Sequence, residues 1–590
     1  MKMVTKRWTC ALLAGTMAVL TACGSNPAGS AASGGATGET GTSSSSGAAA
    51  GAGSTAAGGE LTKISLYPAD ANLTSGVVSG VKADLFAEHG IELEVWAYSD
   101  EKTNAILASG DMPDIMYVSK DNLDTMIEAG MLLNLDDHLK DMPHVQSYEP
   151  MQTALNYVRK YRSADTGSVY CLPLAVGDAS TKYALTDSTE RNAIKLRWDV
   201  YEEIGAPAIN SMEDLIDVME QMLKAHPTDE EGNPFYGTVL NSGSDTTQFA
   251  CMQLYYRWFG YDENQLPYLL ETNMIDGSNT SILNKESKYY EGLKWYNEVY
   301  RRGLMDPDSI NNDRATQKAK VDHGYAMVPS GTLPGWAPTY FEYYMPDSKI
   351  YWSYTNAFGD AGKVIAINAN TEHLDACLEL LDMWCDPDTT FQITNGQDGG
   401  VWYSDGDKAL LMEDYAAYIQ AHNGKADGFT SATVKDEPFW NTAFCASTGA
   451  ENSWKDADGN PRCERLPQWA EVMAISTNND TYTSWKKTTG YDSWKDWLAA
   501  EDAYVSDSEM TSVINLCSQP DDSMQLTLDA IRDSVVNASW QMVYAASDAE
   551  FDQYWDQMLA DCEGLGAQEV MDWRLADIEN AKSIRDSLEG

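Results

Sequence analysis

The 590 residues carry 89 acidic and 40 basic side chains, a net charge of −49 with a pI near 4.3. Such a field repels phosphate backbones and anionic bilayers, which excludes nucleic acid and the bare membrane surface as partners; its main effect is solubility. Seven histidines without an HExxH motif and cysteines without a CxxC pair give no zinc-hydrolase or thioredoxin signal, whereas 18 Trp and 32 Tyr against 11 Phe favour rings with a flat apolar face and a polar edge, suited to stacking on sugars.

Residues 1–22 read as a secretory signal. Lys2, Lys6 and Arg7 precede an apolar run of ~13 residues, Trp8–Leu20, too short for a permanent span. Leu20-Thr21-Ala22-Cys23 resembles a bacterial lipobox, which implies a signal cut before Cys23 and a lipid attached to that cysteine. A single acyl chain holds a membrane only marginally, so retention calls for a multiply acylated (palmitate-type) cysteine. Residues 23–60 are that cysteine and a Gly/Ala/Ser/Thr tether, which cannot bury a core.

The remaining 61–590 are long enough for two or three domains. Leu61–Tyr67 alternates as a first strand, Val81–His89 is a helix stopped by Gly90, and Ile91–Trp96 alternates as a second strand. A turn at Ala108–Pro113 leads to a third strand ending at Val118, and Asp121–Gly130 is helical. Strands alternating with helices predict an α/β domain with a largely parallel sheet, whose ligands settle beyond the carboxyl ends of strands. Further on, Arg197–Gly205 is a short helix, and Ser211 with Asp214 caps a long one to His226. Helices follow at Gln248–Phe259, Lys288–Arg302 and Asp313–Val321, strands at Gly324–Val328 and Lys363–Asn368, and a helix at Leu374–Trp384. Asp405–Asp507 reads as irregular and aromatic-rich. Helices at Ser508–Cys517, Gln525–Tyr544, Asp548–Asp561 and Gln568–Ser583 close the chain.

Several segments resemble the extracellular solute-binding proteins, family 1, of ABC importers, in particular their large oligosaccharide-type lipoprotein branch. Ala108-Ser109-Gly110-Asp111-Met112-Pro113-Asp114-Ile115 matches the SGDxPD turn, and Tyr170-Cys171-Leu172-Pro173 the first crossing between lobes. Arg197–Gly205 with Pro207 and Ser211–Leu215 matches RxDxLxxxGxxxPxTxxEL; Tyr325–Val328 with Gly331 and Trp336 resembles the return crossing; Asn395–Trp402 resembles the YGxEGxxY/W loop; and Ser547–Tyr554 resembles the C-terminal helical tail. The resemblance implies an α/β, two-lobed periplasmic-binding-protein-like fold (type II), with discontinuous lobes joined by a hinge and extra C-terminal helices. Lobe 1 is expected at about 61–173 plus a segment near 324–385, and lobe 2 at about 174–323 plus much of 386–590.

The implied function is capture of an oligosaccharide by a monomeric receptor, anchored on the extracellular face of the cytoplasmic membrane, for import by an ABC permease, with no catalysis. A receptor for a membrane sensor kinase and a secreted glycoside hydrolase are the alternatives; the hydrolase requires two carboxylates facing across a cleft, and no acidic cluster here suggests such a pair. Asp121, Asn122 and Asp178, just after strands or crossings, are candidates for sugar hydroxyls, with a helix cap as the alternative at Asp121. Trp336, Asp398 and Trp402 in glycine-rich loops, Trp440, and Trp258 in the Tyr256–Trp258 cluster are the other candidate ligand residues, although helical spacing in that cluster favours core for at least one member. Asp114 is expected to hold its turn by bonding backbone amides.

No cofactor or metal is called for. Thr228–Pro234 lacks the alternating oxygens of a calcium loop, and Lys455–Asn460 lacks its closing Glu, so a structural calcium is a minor alternative. Cys377 and Cys385 lie on one helix and cannot bridge each other, whereas Cys445 with Cys463 is an open disulfide pairing. Replacing Trp336 with Ala is expected to weaken binding of a verified ligand by roughly 1–3 kcal/mol without unfolding the protein. A titration showing unchanged affinity removes Trp336 from the site.

Overall fold

The alternation after Leu61 produces the strand Thr62–Tyr67 (β1), with Ile64 and Leu66 turned into the core. Gly76–Val77 (β2), Ile91–Val95 (β3) and Ile115–Ser119 (β4) follow, then Leu172–Pro173 (β5) and a returning strand, Lys363–Ile367. They form one six-stranded sheet in the order β2-β3-β1-β4-returning strand-β5. β1 is parallel to β3 and to β4, whereas the returning strand runs antiparallel to β4 and β5. The computed structural model describes residues 61–590 apart from 69–74, 80, 175, 177–192, 243–247, 250, 330–339, 352–357, 360–361, 423–425, 427, 431–452, 460–461, 463–464, 477–479, 506–507 and 590. Among the described residues no helix is long and apolar enough to cross a membrane.

The Ser-Gly-Asp turn between the helix Asp100–Ser109 and β4 does what its residues suit. Gly110 takes φ +73 and returns its N–H to the carbonyl of Ile106, closing the helix in a left-handed conformation that costs glycine little. Asp114 Oδ2 accepts the backbone N–H of Ser65 at 2.8 Å and its hydroxyl at 2.7 Å, and Oδ1 accepts the Thr371 hydroxyl at 2.6 Å. The carboxylate thus ties β1 and the returning chain to the turn. Burial alone raises its pKa, but the bonds from Thr371 and Ser65 outweigh burial and leave it lowered.

Two large apolar cores result. The first gathers side chains from Ile64 to Val176 and from Val364 to Ile393. The second gathers Ala193 to Phe358 and Trp485 to Ala581, with Tyr157 reaching in from the first stretch. The return to the first core is therefore shorter than expected: Met327, Val328, Phe341 and Phe358 pack in the second core, and only the chain from about Lys363 rejoins the sheet. The two crossings touch at Gly359, whose φ is +83; a Cβ there would stand 2.6 Å from Pro173 Cβ and 2.9 Å from the Leu174 carbonyl.

Three further expectations are corrected. Gly324–Val328 is not a regular strand, because its backbone bonds are divided between Arg197 and Tyr236–Gly237 with no continuing ladder. The stretch read as irregular contains the hairpin Trp402–Asp405/Lys408–Leu411 and the helices Glu413–Ala421, Ala470–Ser476, Asp480–Thr489 and Trp494–Ala500. These helices are short, and packing of Trp469, Trp485, Trp494 and Trp497 holds them where local propensity does not. Trp258 is 1 % exposed, with Tyr255 and Trp295 against its ring, so it is a core side chain and not a ligand platform.

Asp114→Asn is expected to lower stability at pH 7 by about 1.5–3 kcal/mol, the scale of hydrogen bonds to a charged group. Because the folded pKa is depressed, the wild-type advantage is complete above the unfolded carboxylate range and disappears as pH falls through the folded value. Melting curves of both proteins from pH 7 to pH 3 check this; a constant gap across that range refutes the ionic origin.

Candidate functional site

A crevice opens where strand order reverses in an open α/β sheet, outside the carboxyl ends of the strands. Here β1 lies between β3 and β4, so the reversal falls beside β1, beyond Tyr67 and Ser119. The Tyr67 hydroxyl donates to the Ser99 carbonyl at 3.0 Å and lies 2.7 Å from the Thr103 hydroxyl. The Tyr98 ring sits 5.8 Å from that of Tyr67, and its hydroxyl donates to Asp100 at 2.6 Å; this bond to a carboxylate, with some burial, raises the Tyr98 pKa. Trp96, the first residue past β3, has the Lys102 ammonium 4.4 Å from its ring centre. Tyr67 itself is fully buried, so the half-buried rings of Trp96 and Tyr98 and the exposed Asp100 carboxylate form the rim above it.

Asn122 stands half-buried at the same end of the sheet, on the helix Lys120–Glu128. The cap of that helix is Ser119, so Asp121 is not its cap; the Asp121 side chain lies outside the described residues. Lys120 donates to the Asn515 carbonyl at 3.0 Å, which brings the helix Ser508–Leu516 of the second core over the strand ends. Sequence reading missed Trp96, Tyr98 and Lys120. Trp96 was absorbed into the alternation of the second strand, although the strand stops at Val95 and frees the next ring.

Asp398 and Trp402 come together at a second place, a cavity of about 400 Å³ that Gln392, Ser404, Asp407 and Trp454 also line. Trp402 is 1 % exposed; its indole N–H donates to the Gly396 carbonyl at 2.8 Å, and Phe391 and Trp454 pack edge-on against it. It therefore serves as a wall of this cavity and not as an open stacking face. Asp398 accepts the Ser404 backbone N–H at 3.0 Å and the Ser404 hydroxyl, which fixes the glycine-rich loop against the hairpin. Burial and the neighbouring carboxylates Asp386 and Asp398 raise the pKa of Asp388 on the same wall. Cys23, Asp178, Trp336, Trp440 and the Cys445–Cys463 pair lie outside the described residues.

A family profile described as bacterial extracellular solute-binding protein matches residues 70–390. A curated relative, the fructooligosaccharide ABC transporter substrate-binding protein FusA of Streptococcus pneumoniae, is 23 % identical over 248 residues, 40 % of this chain; the match spans 42 % of that relative, less than half its length. Among solved structures, an HMO-binding, ABC-transporter-associated solute-binding protein of Bifidobacterium longum infantis is 14 % identical, with a TM-score of 0.56 over 89 % of this chain and 99 % of that one. FusA of S. pneumoniae, as an EF-hand mutant in complex with fructo-nystose, is 15 % identical, with a TM-score of 0.55 over 89 % and 100 %. At such identities the likeness speaks to the fold, the two-lobed type II arrangement with added C-terminal helices. With the profile spanning more than half of its length, the chain belongs to the bacterial extracellular solute-binding proteins.

Proposed function

We propose that this protein captures an oligosaccharide outside the cell and presents it to an ABC permease, working as a monomer and without catalysis. What carries this reading is the rim of half-buried Trp96, Tyr98 and Asn122 at the carboxyl ends of the parallel strands, with the buried Tyr67 beneath it as support. Aromatic faces suit the apolar side of a sugar ring, and amide, hydroxyl and carboxylate groups around them suit its hydroxyls. The relative named as a fructooligosaccharide-binding protein supports the same ligand class. Cys23 is the lipid attachment point, and residues 24–60 are the tether that lets the receptor reach the permease. Asp121, Asp178, Trp336 and Trp440 complete the ligand contacts, with Asp398 and Trp402 supplying a more distant wall.

The transport signal follows from two cores joined by crossings that touch at Gly359. A ligand that contacts both cores favours the closed arrangement only by the difference in its affinity for closed and open states. The permease reads that difference.

A thermal-shift screen of the full chain in detergent, against fructans, other oligosaccharides, peptides and amines, tests the proposal. At about 100-fold excess over the dissociation constant, the right glycan adds about 2.7 kcal/mol of stability. Trp96→Ala is expected to weaken that glycan about 10- to 100-fold at an unchanged unliganded melting temperature. A shift with peptides or amines alone refutes the ligand class, and glycan hydrolysis in proportion to protein concentration refutes the receptor.

A further inference from the structure

We infer that the second core carries a small-molecule site of its own, for a neutral ring bearing several hydroxyl groups. The site is a cavity of about 270 Å³ between the short turn Leu266–Tyr268, the start of the helix Asp522–Val543, Gln519 and Gln248. Every lining residue comes from the second core's stretches of chain; none lies in 61–176 or 363–395, which build the first. The cavity therefore stands apart from the strand-end rim.

Gln248 is the observation that points to a ligand. The residue is 1 % exposed and lines the cavity, and its amide nitrogen donates to the Pro267 carbonyl at 3.4 Å, while its Oε1 has no hydrogen-bond partner among the described residues. A buried acceptor left unpaired bears its desolvation penalty, so a donor entering the cavity recovers that loss. A hydroxyl group is such a donor.

The rest of the lining sets the ligand's charge and size. Gln525, Leu528, Asp529 and Arg532 are spaced three and four apart and share one helix face. Arg532 donates to Asp529 at 3.2 Å and Gln525 to the same carboxylate at 3.0 Å, so the charges compensate one another and leave no excess to select an ion. Carboxamides of Gln519 and Gln525 offer both donors and acceptors, while Leu528 and Pro267 supply an apolar patch for C–H groups. That mixture fits a monosaccharide or cyclitol. The volume lies just under the ~300–1,000 Å³ of pockets that enclose drug-sized ligands, which suits one ring and not a chain.

Ligand-detected NMR on the full chain, with glucose, galactose, fructose and myo-inositol as probes and glucose 6-phosphate and glutamate as charged controls, tests the inference. At least one neutral probe is expected to bind, and the charged controls are not. Gln525→Trp, at an exposed position where the larger ring fills the cavity, and Gln248→Met are each expected to weaken binding at least 10-fold, whereas Trp96→Ala leaves it unchanged. Absence of binding by every neutral probe overturns the inference, as does tighter binding of a charged control. Binding that survives Gln525→Trp, or that Trp96→Ala removes, overturns it too, the latter by placing the probe at the strand ends. Should Gln248→Met fail to fold, Gln525→Trp decides alone.

Discussion

The carboxylate of Asp114 holds three passes of the chain at one corner of the first core. It takes hydrogen bonds from Ser65 on the first strand and from Thr371 beyond the returning strand, while the Asp114 carbonyl accepts the Asn368 N–H at 2.9 Å. The Asn368 side chain then donates to the Met112 carbonyl at 2.8 Å. Two stretches separated by the first part of the second core, Ala193 to Phe358, are fastened through this one short turn. The corner adjoins the end of the five-residue ladder between the returning strand and β4, where Ile367 pairs with Ile115, and reinforces that register.

Outside this corner the excess of negative charge is handled by exposure and by pairing. Charges that are buried have partners: Lys195 with Glu342 at 3.2 Å across two strands, Arg257 with Glu263 at 2.5 Å, and Lys320 with Asp306 at 2.7 Å. Breaking one such pair leaves an uncompensated buried charge, which costs more than the pair itself contributes. Asp262 lacks comparable compensation; burial and the adjacent Glu263 raise its pKa to about 7. Since that value lies above the unfolded one, this group's contribution to stability is lost as pH rises from about 4 through about 7.

The cores also meet through single polar contacts. Lys120 reaches the Asn515 carbonyl and Lys160 reaches the Ser587 hydroxyl at 3.3 Å, each linking the first core's helices to C-terminal ones. Single hydrogen bonds of this kind contribute about 1 kcal/mol net. The crossings at Gly359 are different in kind, because backbone stands so close to Pro173 and Leu174 that no side chain fits.

The amino-acid sequence by itself determined the local events. Ser211 caps its helix through the Asp214 N–H at 3.1 Å, Asp313 through Thr316 at 2.7 Å, and Ser547 through Glu550 at 3.2 Å, each across three residues. The alternation of β1 and β3, the SGDxPD turn and the family likeness were legible for the same reason, since a hydrogen bond or period spanning a few residues is written in those residues. Tertiary structure alone decided which aromatic rings are left partly exposed and which are covered by protein. Trp402 stands in a glycine-rich segment that reads like an open loop and Trp258 in an aromatic cluster on a helix, yet Phe391, Trp454 and Trp295 cover them. Trp96 was freed by a strand ending one residue early, and the Gln248 cavity is assembled from segments nearly three hundred residues apart. A side chain's exposure depends on partners that chain folding delivers from a distance, and no local pattern records where they come from.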